Sequence, residues 1–289
     1  NLYSSGKIKE AITYVEGLIN NYPNQPLLFN IYGACFSEMG LIEKAIPEFN
    51  KAIDLNQDYA EVHYNLGVAY QKISELDNAL LHYGKALKSQ HAYPTAHNNM
   101  GVIFLEKSQI NSAVKSFEWS IAYNPNYAEA HNNLGTALQE LKEFEKAKNQ
   151  FEKAISLNHQ YAQAFHNLGI LNEIINLPNE AISNYENAIT INPNFAEAHR
   201  NLSKIKSYKP NDKQIAQIES LYSKADLSIA DKARLSFAMA DIHKDLDNQE
   251  IYFQYLNEGN RLRKEELNYS FDQSNNFHNI IIELFSKVI

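Results

Sequence analysis

Cysteine is almost missing from this chain: Cys35 is the only one in 289 residues, so one copy can assemble neither a disulfide framework nor a thiolate zinc site. A reducing compartment follows as the expectation, with the cytoplasm as the address. Long apolar runs are missing too. None approaches the roughly 18 to 20 residues that a bilayer span needs, and Asn1 to Glu10 lacks the charged and apolar regions of a secretion signal, so no membrane association is expected. Basic charge is in deficit, with 26 Lys and Arg against 34 Asp and Glu. The resulting net charge of −8 repels phosphate backbones and argues against a nucleic-acid partner. There is no Gly-rich phosphate loop, no paired Cys and no Gly-x-Ser-x-Gly elbow, so no catalytic residue and no cofactor is assigned. The chain opens on Asn1 without Met, inside what reads as a structural unit, and the natural protein is therefore expected to extend further.

What is present is a period. Glycines stand at Gly33, Gly67, Gly101, Gly135 and Gly169, each 34 residues from the next. Alanines at Ala11, Ala45, Ala79, Ala113, Ala147 and Ala181 keep the same spacing. Each unit carries helical periodicity twice, first in Val62, Leu66, Ala69, Tyr70 and Ile73, then in Ala79, Leu80, Tyr83, Ala86 and Leu87. The fold class is therefore all-α, a stack of antiparallel amphipathic hairpins. Asp77, Asn111 and Asn179 stand where the second helix needs an N-cap, and Asn56, Asn124, Asn158 and Asn192 mark its end. Small residues recur where the paired helices cross, and Phe49, Tyr83, Phe117, Phe151 and Tyr185 supply the aromatic that fills the matching gap.

This framework of Leu-Gly, Tyr, Ala, Tyr or Phe, Ala and Pro resembles the tetratricopeptide repeat. Departures are mild, as in Met100 for Leu, Ser120 for Ala, and His91 and His159 where Pro is common. The resemblance implies a right-handed superhelical solenoid whose first helices line a concave groove. It divides the chain into a partial repeat over 1–25, full repeats over 26–59, 60–93, 94–127, 128–161 and 162–195, and the start of another over 196–203. A helical extension over 204–289 follows, in which Ala233 to Asp245 and Glu250 to Arg263 read as a degenerate hairpin that has lost its Gly and Ala and caps the stack.

Asn65, Asn99, Asn133, Asn167 and Asn201 fall at one position of the first helices, about a quarter turn from the apolar stripe. A carboxamide offers both donor and acceptor, so such a row can grip the backbone of a bound peptide whatever its side chains. Inherited surface polarity is the plainer alternative. The run from Glu129 to Gly135 resembles the repeats of the O-linked N-acetylglucosamine transferases, and that resemblance implies a peptide-holding role for the same five asparagines. Asn30 and Ile31 interrupt the pattern, so the row is taken to start at Asn65. Glu61, Glu129 and Glu197 place acidic charge at the groove edge, which favours a polar or basic ligand, although solvated acids at helix starts would look the same.

His63, His97, His131 and His199 also recur, but each belongs to a different repeat. Helix spacings of about 8 to 10 Å keep them too far apart for one ion, so they are read as packing residues and no metal site is assigned. The segments Lys232 to Ala240 and Tyr255 to Arg263 resemble the stretch that joins repeats to the enzyme domain in bacterial tetratricopeptide-repeat sulfotransferases. That likeness implies that a domain using 3′-phosphoadenosine 5′-phosphosulfate follows Phe285 to Ile289, and that this chain is its substrate-handling arm. Three functional readings stand: a peptide-binding groove, a fragment of such an enzyme, and a self-association scaffold whose convex aromatics or cap meet a second copy as a homodimer.

Overall fold

The computed structural model describes residues 7–267, and the chain divides into two compact units, Asn1–Leu157 and Asn158–Ile289. Residues 1–6 of the partial repeat, and the stretch 268–289 with its Phe285 to Ile289 segment, lie outside the described residues. All the described regular structure is helical.

The first unit holds α1 (Ile8–Asn21), α2 (Pro26–Glu38), α3 (Ile42–Leu55), α4 (Ala60–Lys72), α5 (Leu76–Ser89), α6 (Pro94–Glu106), α7 (Ile110–Tyr123), α8 (Ala128–Glu140) and α9 (Phe144–Leu157). Each helix packs on the next in sequence, and α2 also touches α4 as α6 touches α8, so first helices of successive hairpins lie side by side. Within a hairpin the crossing is set by glycine. A Cβ added at Gly67 would stand 2.5 Å from the Tyr83 ring, at Gly101 2.5 Å from Phe117, and at Gly135 2.6 Å from Phe151. The ring of the second helix thus lies directly on the backbone of the first, an approach that only glycine permits. Ala45, Ala79, Ala113 and Ala147 are fully buried at the same crossings.

The turn inside each hairpin is made by the backbone. Gly40, Ser74, Ser108, Lys142 and Asn176 all adopt positive φ, between 57° and 74°, and again stand 34 apart. Behind each, an N–H reaches back five residues to close the end of the first helix, as in Glu75 N to Tyr70 O at 2.9 Å and Leu177 N to Asn172 O at 2.7 Å. This geometry corrects the capping assignment. The residue after the left-handed one already serves as N-cap, so Asp77, Asn111 and Asn179 fall at the second helical position, and these helices have no side-chain cap hydrogen bond. Asp77 instead pairs with Lys107 at 2.7 Å, in the first helical turn where the exposed N–H groups favour an acid. At the hairpin exits, Asn56, Asn124, Asn158 and Asn192 accept the N–H two residues on at 3.0 to 3.3 Å, turning the chain towards the next hairpin.

The second unit holds α10 (Ala162–Ile174), α11 (Pro178–Ile191), α12 (Ala196–Ile205), α13 (Lys213–Tyr222), α14 (Ile229–Asp245) and α15 (Gln249–Glu266). The α10–α11 hairpin keeps the glycine crossing, with Gly169 against Tyr185 at 2.6 Å. α12 packs on α11 and most extensively on α14, and meets α13 where Gln214 reaches His199 at 3.2 Å. The α14–α15 hairpin has not lost its glycine but reversed it: a Cβ at Gly259 on the second helix would meet Phe237 on the first at 2.9 Å. Searching for Gly before aromatic misses a crossing built in the opposite order.

Candidate functional site

In each unit two adjacent positions of the first helices carry polar side chains, an outer and an inner row. The outer row contains the five asparagines read from the sequence, and in the structure all five are half-buried. The inner row, one residue earlier, is Asn30, Tyr64, Asn98, Asn132, His166 and Arg200. Its Asn30 and Asn98 are only 2% and 0% exposed, so their carboxamides must find partners inside the protein.

The outer row supplies those partners. Asn65 Nδ2 donates to Asn30 Oδ1 at 2.8 Å, and Asn30 Nδ2 donates to Glu61 Oε1 at 3.1 Å. The arrangement repeats 68 residues on, where Asn133 Nδ2 donates to Asn98 Oδ1 at 3.0 Å and Asn98 Nδ2 to Glu129 Oε1 at 3.1 Å. Glu and Asn four apart on one helix therefore clamp a buried Asn of the preceding hairpin. In the second unit His166 takes the buried place: Asn201 Nδ2 donates to its Nε2 at 3.1 Å, while Lys204 reaches Asn201 Oδ1 at 3.0 Å. Burial pushes the His166 pKa below the usual range against the opposing pull of Glu197. Asn99 differs, donating to the phenol oxygens of Tyr64 at 3.4 Å and Tyr83 at 3.2 Å. Asn167 Oδ1 accepts from Gln163 at 2.9 Å.

Asn65, Asn99, Asn133 and Asn201 thus face the preceding hairpin along one edge of the carboxamide, which the sequence reading did not foresee. Asn30 is not an interruption of the pattern but the first member of the inner row. The doublets Asn98-Asn99 and Asn132-Asn133 carried that signal. The outer edge is not consumed everywhere: among the described residues no donor reaches Oδ1 of Asn65 or Asn99.

The recurrent histidines do more than pack. Nε2 of His63, His97, His131 and His199 lies 2.9 to 3.2 Å from the carbonyl oxygen six residues earlier, at Gln57, His91, Pro125 and Pro193. A carbonyl only accepts, so each ring donates Nε2–H and latches the loop between hairpins. Burial, the largest influence on His63, His97 and His199, lowers their pKa values. At the last first-helix, Arg200 stands in the inner row and Ser203 in the glycine place. Arg200 pairs with Asp241 of α14 and lies 5.5 Å over the Phe237 ring, while Ser203 Oγ donates to Asp241 at 3.1 Å. These two substitutions divert α12 to α14.

Among the described residues no helix is long and apolar enough to cross a membrane. Tetratricopeptide-repeat profiles match residues 36–74, 60–91, 101–142, 128–161 and 162–195. No curated protein matches the chain. Among solved structures, YrrB, described as a TPR protein with an unusual peptide-binding site, aligns at 21% identity and TM-score 0.54 over 64% of this chain and 95% of its own. PilF of Pseudomonas aeruginosa aligns at 18% identity and TM-score 0.56, over 93% of this chain and 99% of its own. The Cut9–Hcn1 assembly of the APC/C gives TM-score 0.66 at 17% identity, over 82% of this chain and 47% of the matched one. With the glycine crossings, the left-handed turns and these matches in the same 34-residue register, the chain carries tetratricopeptide repeats and has the fold of a protein-binding scaffold.

Proposed function

We propose that the first-helix faces carrying Asn65, Asn99, Asn133, Asn167 and Asn201 line a concave groove that holds an extended polypeptide by its backbone. The observation that carries this reading is the anchoring of the row. A bond to the preceding hairpin fixes the amide plane of Asn65, Asn99, Asn133 and Asn201, so little side-chain entropy is lost on binding. The Oδ1 edge is held ready at Asn65 and Asn99, while a guest has to displace Asn132 from Asn133 Oδ1 at 3.3 Å and Lys204 from Asn201 Oδ1 at 3.0 Å. Glu61, Glu129 and Glu197 add acidic charge beside the row, which selects polar or basic ligand segments. YrrB, described by its peptide-binding site, supports the reading through fold alone.

The test is a peptide library probed by fluorescence polarisation. Replacing the five asparagines by Ala is expected to weaken capture at least about tenfold, since each lost bond contributes about 1 kcal/mol. Undiminished binding with intact helicity would reject the reading. Glu61→Gln, Glu129→Gln and Glu197→Gln keep one acceptor oxygen each and remove the charge, and are expected to erase the preference for basic peptides.

A second reading, self-association, has one specific support. Trp119 is 55% exposed and stacks on Tyr123 at 5.8 Å, at a second-helix position where other repeats carry Lys51, Lys85 and Lys153. Sedimentation should show a dimer that Trp119→Lys dissolves; a monomer at all concentrations removes this reading. The place as arm of a sulfotransferase rests on the likeness of Lys232 to Ala240 and Tyr255 to Arg263, which fall on the two helices of the α14–α15 hairpin. Codons after Ile289 that lack a phosphosulfate-binding loop would end it.

A further inference from the structure

The clamp of Glu and Asn closes two joints between first helices of the first unit and is missing from the joint between them. At α2 and α4 the buried Asn30 is held by Asn65 and Glu61, and at α6 and α8 the buried Asn98 by Asn133 and Glu129. Between α4 and α6 both clamp positions are changed. Tyr64 stands at the place of Asn30 and Asn98, and Thr95 at the place of Glu61 and Glu129. A phenol replaces the carboxamide and no carboxylate faces it, so the clamp cannot form.

A pair of phenols fills the joint instead. Tyr64 stacks on Tyr93 with ring centroids 4.8 Å apart at 29°, and both rings are only half-buried, so solvent reaches part of the pair. In the next hairpin the residue equivalent to Tyr93 is Tyr127, whose hydroxyl donates to Glu129 at 3.3 Å. With Thr95 in place of that acid, no partner meets the Tyr93 hydroxyl among the described residues. Burial, reinforced by Tyr64 and Glu61, pushes the Tyr93 pKa up to about 12, so the phenol stays neutral beside the Glu61 carboxylate.

The oxygens around the pair have acceptor capacity to spare. Glu61 spends Oε1 on Asn30, and among the described residues no donor reaches its Oε2. Oδ1 of Asn65 and of Asn99 is in the same state, and the Asn99 amide is tied to the Tyr64 hydroxyl at 3.4 Å. Glu61, Tyr64 and Asn65 lie three and four residues apart on α4, which puts carboxylate, ring and carboxamide on one face of the helix.

We infer that this joint is a subsite for an arginine side chain of the guest polypeptide, its guanidinium lying against Tyr64 and Tyr93 with N–H groups directed to Glu61, Asn65 and Asn99. Such a subsite requires the groove proposed for the asparagine row, and it names the side chain which that groove selects. Repulsion from Glu61 excludes an acidic residue. Lysine satisfies the charge, but its ammonium is compact and strongly hydrated, whereas a planar guanidinium stacks on rings and spreads five donors over several acceptors.

The experiment is fluorescence polarisation of the whole chain with nonapeptide libraries that differ only in a fixed central residue: arginine, lysine, or citrulline, which keeps the shape of arginine without its charge. Arginine should bind about fivefold more tightly than lysine, and citrulline should bind most weakly. Tyr64→Asn copies Asn98, removes the ring and leaves Glu61 in place. It should bring the arginine-to-lysine ratio to about one while both remain ahead of citrulline. Tyr93→Leu removes the stacked partner and should lower the ratio as well, whereas Tyr64→Phe keeps the ring and should keep the ratio. A ratio near one in the natural chain, or a ratio unchanged in Tyr64→Asn or Tyr93→Leu proteins of natural helicity, overturns the subsite and leaves the groove standing. Capture of none of the libraries rejects the groove and the subsite together.

Discussion

Gly135→Ala and Gly84→Ala are the same chemical change with opposite expected outcomes, and the pair tests the crossing geometry. At Gly135 a Cβ would stand 2.6, 2.7 and 3.0 Å from Cε1, Cδ1 and Cζ of Phe151, where carbon atoms settle at about 3.5 to 4.0 Å. Phe151 is fully buried, so the ring has nowhere to retreat and the hairpin must open by nearly an ångström. Overpacking of this kind costs about 1 to 3 kcal/mol, and a locked ring puts it near the upper end. Alanine returns about 1 kcal/mol through better helix propensity, leaving a net loss of about 2 kcal/mol. At Gly84, inside α5, a Cβ meets nothing within 4 Å, so only the propensity gain of about 1 kcal/mol remains. Thermal melts followed by circular dichroism should show Gly135→Ala lowered by about 4 to 8 °C and Gly84→Ala raised by about 2 to 4 °C. Phe151→Leu in the Gly135→Ala background should recover part of the loss. A Gly135→Ala protein as stable as the natural chain would refute the crossing argument.

Lys142 holds φ at 60° in the α8–α9 turn, a conformation that strains a side-chain-bearing residue, so Lys142→Gly should raise the urea midpoint by the equivalent of about 0.5 to 1 kcal/mol. Asn98→Ala removes a buried carboxamide that accepts from half-buried Asn133 and donates to exposed Glu129, groups that water can then reach, so a loss of about 1 kcal/mol is expected in the same assay. The pKa values of His63, His97, His166 and His199 are held below the ordinary value of 6.5 in the folded state, mainly by burial. The unfolded chain therefore takes up protons first on acidification. Stability is at its full value above pH 6.5 and falls as pH drops below it, so the urea midpoint should be lower at pH 5 than at pH 7.

Period is what the sequence displays most openly, because a crossing that admits only glycine and alanine leaves those residues at 34-residue intervals. The fold class and the helical hairpins followed from that. Partnerships between repeats were hidden for a physical reason: a carboxamide that clamps and one that binds a guest look alike in one dimension. Asn65 and Asn133 are half-buried and bond the preceding hairpin through one edge, so a periodic Asn could not say which edge was engaged. Caps were misplaced because the left-handed turn at Ser74, Ser108 and Asn176 closes the chain with backbone bonds, a role that Ser and Asn do not advertise as Gly does. Arg200 and Asp241 lie 41 residues apart, outside the repeat spacing, and only the packing of α12 on α14 brings them together. Tyr64 was passed over because no other repeat carries Tyr at its position.

Side-chain amide resonances of the outer row report most directly on whether a guest chain meets it. In 15N–1H spectra, adding a basic peptide selected from the library should shift the NH2 signals of Asn65, Asn99, Asn133, Asn167 and Asn201 together, while those of Asn78, Asn149 and Asn184 on second helices stay in place. Shifts confined to second-helix residues or to the α14–α15 hairpin, with the five outer-row signals unmoved, would contradict the proposed groove.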